Sequence, residues 1–255
     1  MGSTLVRLIH ESRVMKLAGA VEFSGNPQLG KDAGEVAGVG KVGVPIDADL
    51  ASLIKGAGVI IEFTAPDATL EHVKIAAKKN IPIVVGTTGL NQKQLDEIKK
   101  FSRRTRVLIS ANMSLGVNLL VSLMGKVAAI LGDDYDVEIV EAHHRFKKDA
   151  PSGTALALAK PIAVALKRDL DQAGVCGRKG IVGERTKQEI GLLSVRAGDI
   201  VGEHTVIFGG LGERIEFIHR AQSRETFARG ALRAAAWLVK QKKGLYSMQD
   251  VLGLG

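Results

Sequence analysis

The chain has 255 residues, above the roughly 100–200 typical of one domain, so one large or two medium domains are expected. Hydrophobic residues make up 45% and aromatics only 4%, with 30 glycines, which suits an α/β protein with many tight strand–helix turns. The net charge of +8 is spread in short clusters at Lys78-Lys79, Lys99 to Arg106, Lys147-Lys148 and Lys240 to Lys243; this favours attraction of small anions, and no nucleic-acid partner is expected.

In chain order, Leu5, Val6, Leu8 and Ile9 make the apolar face of an opening helix. Lys16 to Phe23 reads as a strand carrying Glu22 at its end, and Val59 to Thr64 as a buried strand. Pro66 then sits where a first helical turn tolerates it, and that helix runs to Asn80. Ile81 to Val85 is a strand leading into Gly86-Thr87-Thr88-Gly89; Asn91 caps a helix from Gln92 to Arg103, and Val107 to Ser110 is a further short strand. Strands alternating with helices indicate a parallel, doubly wound sheet.

The pattern changes after Asn112. A long helix, Val117 to Leu131, leads into a strand with Val137, Ile139 and Val140 that closes on His143 and His144. A Pro-Ser-Gly-Thr turn opens a helix from about Thr154 to Leu170, and Pro161 inside it predicts a kink or a break. Gly174 to Arg185, basic and glycine-rich, reads as a mobile surface loop. Leu192 to Ala197, His204 to Phe208 and Arg214 to His219 are strand-like runs of a mostly antiparallel sheet. Thr226 to Lys240 is an Ala-rich amphipathic helix suited to packing back on the first domain.

No apolar run approaches the ~18–20 residues needed to cross a bilayer, so no membrane association is expected. Arg7 and His10 interrupt the first apolar segment, unlike a signal peptide. A single cysteine, Cys176, excludes an intramolecular disulfide and a Cys-based zinc site. A cytoplasmic location is expected.

The densest chemistry lies in Glu141 to Ala155, E-A-H-H-R-F-K-K-D-A-P-S-G-T-A. Adjacent strand histidines point to opposite faces and rarely share one ion, so no metal is expected. Either they are structural histidines satisfied by backbone, or they serve proton exchange and substrate binding beside Lys147 and Lys148. Backbone N–H groups of Gly153 and Thr154 at a helix start can hold a carboxylate; either lysine could equally be a solvated charge. Glu22 is a solvated strand-end carboxylate or the acceptor for a ribose hydroxyl in a dinucleotide fold, and Phe23 beside it offers no cation for a 2′-phosphate. Gly86 to Gly89 is a plain turn or one that lets backbone approach a ligand, and Ser110 to Ser114 follows a strand at the carboxyl edge of the sheet.

These residues resemble the dihydrodipicolinate reductase family, the NAD(P)H-dependent 4-hydroxy-tetrahydrodipicolinate reductases of lysine and diaminopimelate synthesis. The Glu141–Ala155 string carries the resemblance. It is supported by E-F-T-A-P at Glu62, V-G-T-T-G at Val85, A-N-M-S-L-G-V-N at Ala111, S-V-R-A-G-D-I-V-G-E-H-T-V at Ser194 and H-R-A-Q-S-R at His219. The family implies an α/β protein: a Rossmann-like domain over 1–114, an α+β substrate and tetramerisation domain with a mixed, mostly antiparallel sheet over 115–223, and a C-terminal helix in 224–255 packing back. It implies a homotetramer, NADH or NADPH as cofactor and a cyclic dicarboxylate substrate. His143 resembles the family's proton donor/acceptor and Lys147 its second proton donor; His144, Ser152, Gly153 and Thr154 resemble the substrate-carboxylate contacts. Met1, Glu22, Gly86, Thr87, Thr88, Ser110, Ala111, Asn112 and Met113 resemble the cofactor contacts.

The family opens with a strand and a glycine-rich turn ending in G-R-M-G, whereas this chain opens at Met1-Gly2-Ser3-Thr4. The expectation is a start placed too far downstream, at an internal methionine, and an unfilled innermost place in the sheet. Buried orphan backbone groups cost ~1–3 kcal/mol each against a domain stability of roughly 5–15 kcal/mol. If the chain is truly this short, weak NADH affinity and poor folding are expected; the alternative to the reductase is a catalytically impaired fragment that keeps dicarboxylate binding and oligomerisation.

Overall fold

A computed structural model describes residues 1–254. It divides into two compact units, one of Met1–Ser114 with the segment from Glu225 onward, the other of Leu115–Arg224. The first unit begins with α1 (Gly2–His10), β1 (Ala20–Val21), α2 (Ala33–Ala37), β2 (Ile46–Asp47), α3 (Leu50–Leu53), β3 (Ile60–Glu62), α4 (Pro66–Lys79), β4 (Ile83–Val85), α5 (Gln92–Phe101) and β5 (Arg106–Ile109). The second contains α6 (Leu115–Leu131), β6 (Asp136–His143), α7 (Gly153–Ala165), α8 (Leu170–Ala173), β7 (Gly174–Val175), β8 (Ile190–Arg196), β9 (Gly202–Gly209) and β10 (Arg214–Ala221). The chain returns to the first unit with α9 (Glu225–Leu238), β11 (Gly244–Tyr246) and α10 (Met248–Leu252).

Local signals set these elements. Leu5, Val6 and Leu8 are the buried stripe of α1. Pro66 starts α4, and Asn80 in the left-handed region ends it. Asn91 and Gln94 cap each other reciprocally at the start of α5. Asp32, the N-cap of α2, accepts hydrogen bonds from the amides of Gly34, Glu35, Val42, Gly43 and Val44, so one carboxylate ties the 32–44 segment into a knot.

The parallel sheet of the first unit is in two pieces. β1 pairs only with β2, while β11, β5, β4 and β3 form a separate four-stranded sheet, parallel throughout. A cavity of about 1420 Å³ is lined by every residue from Met15 to Phe23 and from Ala57 to Ala65. A sheet face shows alternate residues, so a lining of consecutive ones means that strand edges bound the cavity. β1 and β3 thus face this cavity as unpaired edges, an arrangement that separates the two sheets. It also explains why only Ala20–Val21 of the expected Lys16–Phe23 strand is paired: without a neighbour on that side, the rest of the run has no ladder to join.

In the second unit the strands are ordered β10-β9-β6-β8-β7. β9 pairs antiparallel along most of its length with both β6 and β10, and β8 pairs parallel with β6 and β7, a mixed sheet dominated by its antiparallel ladders. Side chains two apart share a face. Val137, Ile139, Ile190, Leu192, Val206 and Phe208 therefore lie together and pack with Met124 and Ala128 of α6 and Leu158, Ala159 and Ile162 of α7.

Three expectations change here. α7 runs through Pro161 to Ala165 without a break; a Cβ on Gly125 of α6 would lie 3.2 Å from the Pro161 carbonyl oxygen, so a glycine there lets the two helices close around that turn. The 174–185 segment is not loop throughout: it opens with β7, and Arg178 and Arg185 reach Glu138 of β6 at 2.9 and 3.0 Å. Leu115–Asp134, 20 residues with a mean hydropathy of 1.8, is long and apolar enough to cross a membrane by length and composition. Its residues Met124 and Ala128 belong instead to the core of this unit.

Candidate active site

Along β6 the face that is apolar at Val137 and Ile139 turns polar at Glu141 and His143. The neighbours in register change with it. Ser194 and Arg196 of β8 stand beside Glu141 and His143, and His204 of β9 stands opposite Glu141. One end of the sheet face therefore gathers a carboxylate, a guanidinium and two imidazoles, and Ser152, the N-cap of α7, closes it.

Glu141 is the hub and is 1% exposed. Arg196 donates two hydrogen bonds of 2.8 Å, one to each carboxylate oxygen. The Ser152 amide donates a third at 3.1 Å, and His143 Nδ1 lies 2.5 Å from Oε2. Burial pushes the Glu141 carboxyl up, but Arg196, His143 and Ser194 outweigh it and hold the group at about 2. With Glu141 charged, His143 carries its proton on Nδ1, which leaves Nε2 to exchange protons. Burial lowers the His143 pKa, partly opposed by Glu141. A Cβ on Gly202 would lie 3.1 Å from His143 Nε2, so the glycine makes room for the ring.

His204 packs edge-on to His143, with ring centroids 5.2 Å apart. Its Nε2 is 3.1 Å from Ser152 Oγ, and burial followed by repulsion from His143 depresses its pKa to about 4, so it is neutral at pH 7. Ser152 Oγ also accepts from the Ala155 amide at 3.1 Å. Lys147 is paired with Asp149 at 2.8 Å. His144, just past the end of β6, has a buried Nδ1 without a hydrogen-bond partner among the described residues. Gly153 and Thr154 form the first turn of α7, whose amides point away from the helix. All six sequence-predicted residues, His143, His144, Lys147, Ser152, Gly153 and Thr154, thus lie between the end of β6 and the start of α7. Glu141, Arg196, His204 and Gly202 were not singled out. The two-residue spacing of Glu141 and His143 was the available signal for the first; the others depend on strand register.

The second group of predicted residues lies in the first unit. Glu22 is exposed at the end of β1, its amide bonded to the Asp47 carbonyl at 3.0 Å. Met1 is the N-cap of α1, which has no side-chain cap, and Gly2, Ser3 and Glu22 line the same cavity. Gly86, Thr87 and Thr88 follow β4, while Ser110, Ala111, Asn112 and Met113 follow its neighbour β5; the Ser110 amide donates to the Val85 carbonyl at 3.1 Å. Met113 is buried, 1% exposed. Ser110 Oγ donates to the Asn112 carbonyl at 2.7 Å. Thr87 is 4% exposed, and its hydroxyl is engaged with Glu62, Thr64 and Thr69. Among the described residues no cluster of His, Cys, Asp and Glu could hold a metal ion.

Comparison with known proteins gives a consistent picture. Residues 1–113 match the family model "Dihydrodipicolinate reductase, N-terminus" and residues 116–252 the model "Dihydrodipicolinate reductase, C-terminus". The chain is 54% identical over 253 residues to the 4-hydroxy-tetrahydrodipicolinate reductase of Syntrophus aciditrophicus (strain SB), covering 99% of this chain and 94% of that one. The enzyme of the same name from Syntrophobacter fumaroxidans is 49% identical, with 100% and 95% covered. Among solved structures, the dipicolinate-bound dihydrodipicolinate reductase from Paenisporosarcina sp. TG-14 superposes with a TM-score of 0.73 at 24% identity, covering 98% of this chain and 94% of that one, a likeness of fold. An amine dehydrogenase from Mycobacterium smegmatis shares the fold at a TM-score of 0.64 and 10% identity, with 97% and 92% covered. Both parts of the family are matched, so the alternative of a chain reduced to its dicarboxylate-binding part is not supported.

Proposed function

The chain belongs to the dihydrodipicolinate reductase family, and on that premise we propose how its residues divide the work. It is an oxidoreductase that reduces 4-hydroxy-tetrahydrodipicolinate to tetrahydrodipicolinate with a nicotinamide cofactor. The observation that carries the assignment of roles is the buried Glu141 holding His143 by Nδ1 at the end of β6. His143 exchanges a proton with the substrate through Nε2, and Lys147 is the second proton donor. The α7 amides of Gly153 and Thr154, with His144 and Ser152, receive a substrate carboxylate. Fixing a dicarboxylate by several charge-assisted contacts is chiefly a proximity contribution.

The first unit has features that fit a dinucleotide. The uncapped start of α1 leaves first-turn amides available to a pyrophosphate. Nothing lies within 4 Å of where a Cβ on Gly2 would be, and the exposed Glu22 carboxylate, which accepts from the Phe23 amide at 3.3 Å, can also accept from ribose hydroxyls. The backbone of Gly86 to Thr88 and of Ser110 to Met113 completes the edge. When bound, the nicotinamide supplies the hydride. Because Phe23 brings no cation beside Glu22, we propose that NADH serves at least as well as NADPH. We further propose a homotetramer, supported by Val195 and Ile218, which stand exposed on the sheet face away from α6 and α7.

NADH oxidation coupled to synthase-made substrate tests the reading. His143→Ala is expected to lower kcat by about 10²–10⁴-fold, the range of a lost general acid, and Lys147→Ala to lower it as well. Full activity in both variants would refute the assignment. A strong preference for NADPH in the same assay would refute the cofactor proposal.

A further inference from the structure

Glu62, the last residue of β3, is 3% exposed. Its Oε1 accepts from the hydroxyls of Thr64 and Thr69 at 2.6 Å and of Thr87 at 3.0 Å, while Oε2 meets His72 Nδ1 of α4. Thr87 Oγ in turn accepts from the Thr64 amide at 2.9 Å. One carboxylate therefore joins the turn after β3 to the turn after β4. A second interlock lies beside it: the Gly86 amide donates to the Glu62 carbonyl at 2.9 Å, and a Cβ on Gly86 would come within 2.2 Å of the Phe63 ring. Burial raises the Glu62 pKa, but His72, Thr64 and Thr69 together hold it below the ordinary carboxylate range. A charge this buried is stable only while every partner stays in place, so the network fixes both turns at once.

We propose that Glu62, with His72 and Thr87, is a positioning residue for cofactor binding: it touches no ligand itself and sets the backbone of residues 63–65 and 86–88, along which the cofactor is laid. The proposal rests on the reading of Gly86 to Thr88 as cofactor contacts. It gives Thr87 a different task from a direct donor, because its hydroxyl already faces Glu62.

The test compares Glu62→Gln, Thr87→Val and Thr87→Ser with the wild type in three measurements. These are the NADH dissociation constant from its own fluorescence, the KM values for NADH and for the dicarboxylate, and amide hydrogen exchange at 63–65 and 86–88. Glu62→Gln places an amide NH₂ against donors, and Thr87→Val removes the hydroxyl at constant shape. Both are expected to weaken NADH binding and raise its KM by about tenfold or more, with the dicarboxylate KM unchanged and exchange faster in both turns. Thr87→Ser, which keeps the oxygen, should recover most of the affinity. If Glu62→Gln does not fold, Thr87→Val and its serine counterpart decide. Unchanged NADH affinity with a lowered Tm, or equal changes in both KM values, overturns the proposal. A wild type that binds NADH but oxidises none with the dicarboxylate would sink the functional reading and leave this one standing.

Discussion

Replacing Glu141 by Gln keeps the side chain's shape and removes the charge around which Arg196, His143 and the Ser152 amide converge. Folding takes this carboxyl from 4.5 to about 2. That drop of roughly 2.5 units, at ~1.4 kcal/mol per unit, amounts to ~3 kcal/mol. The figure agrees with the ~3–5 kcal/mol seen when one partner of a buried ion pair is removed. Because the folded value is the lower one, the stabilisation is complete above about pH 4.5 and vanishes as the pH falls towards 2. Less than half of it survives at pH 3 by the same relation. Urea unfolding of both proteins at pH 7 and pH 3 measures this directly. With a slope of ~1–3 kcal/mol per molar urea, the midpoint of Glu141→Gln should lie ~1–3 M lower at pH 7, and the difference should shrink by more than half at pH 3. The variant should also lose the upward pull on the His143 pKa, which moves the basic limb of kcat towards acid. A midpoint difference equal at the two pH values would refute the reasoning.

Asp32→Asn weakens the knot in which one carboxylate serves five amides; a lower Tm and faster exchange of the Val42 to Val44 amides are expected, and an unchanged Tm would contradict it. Gly202→Ala brings a methyl to 3.1 Å from His143 Nε2 at a backbone conformation that side chains rarely adopt, so kcat should fall by about tenfold, or ~1.4 kcal/mol in barrier, and the urea midpoint should drop with it; unaltered kcat argues against that position for the ring. A separate peptide of about six alternating Val and Ile residues with charged ends should raise the Tm by pairing with the bare edges of β1 and β3. The same peptide with a central proline should not, and equal shifts from both would point to unspecific binding.

Long periodic segments and capped helix ends were legible in the sequence, because α4 with Pro66 and α5 with Asn91 declare themselves locally. The candidate site string was legible for the same reason, since His143, Lys147 and Ser152 to Thr154 sit within one strand–turn–helix. Arg196 and His204 were not, because only the pairing of β8 and β9 with β6 brings them to Glu141. The Glu62 network escaped similarly: Thr69 lies a helical turn away and Thr87 a strand away, and a threonine in a turn reads as a ligand donor until its hydroxyl is traced. The break expected at Pro161 is not seen, because a helix packed into the core tolerates one missing rung.

The divided sheet of the first unit has a thermodynamic consequence. Glu22 belongs to the β1 piece, whereas Glu62 and the turns it fixes belong to the β3–β4 piece. Any molecule that must touch both pieces depends on the spacing between them, and a molecule bound in the cavity between their edges bears on that spacing. Binding in the cavity between the edges and binding at the proposed nucleotide edge are then linked functions. Whatever tightens one must tighten the other by the same factor, so adding NADH should strengthen the hold on an inserted strand as much as the strand strengthens the hold on NADH.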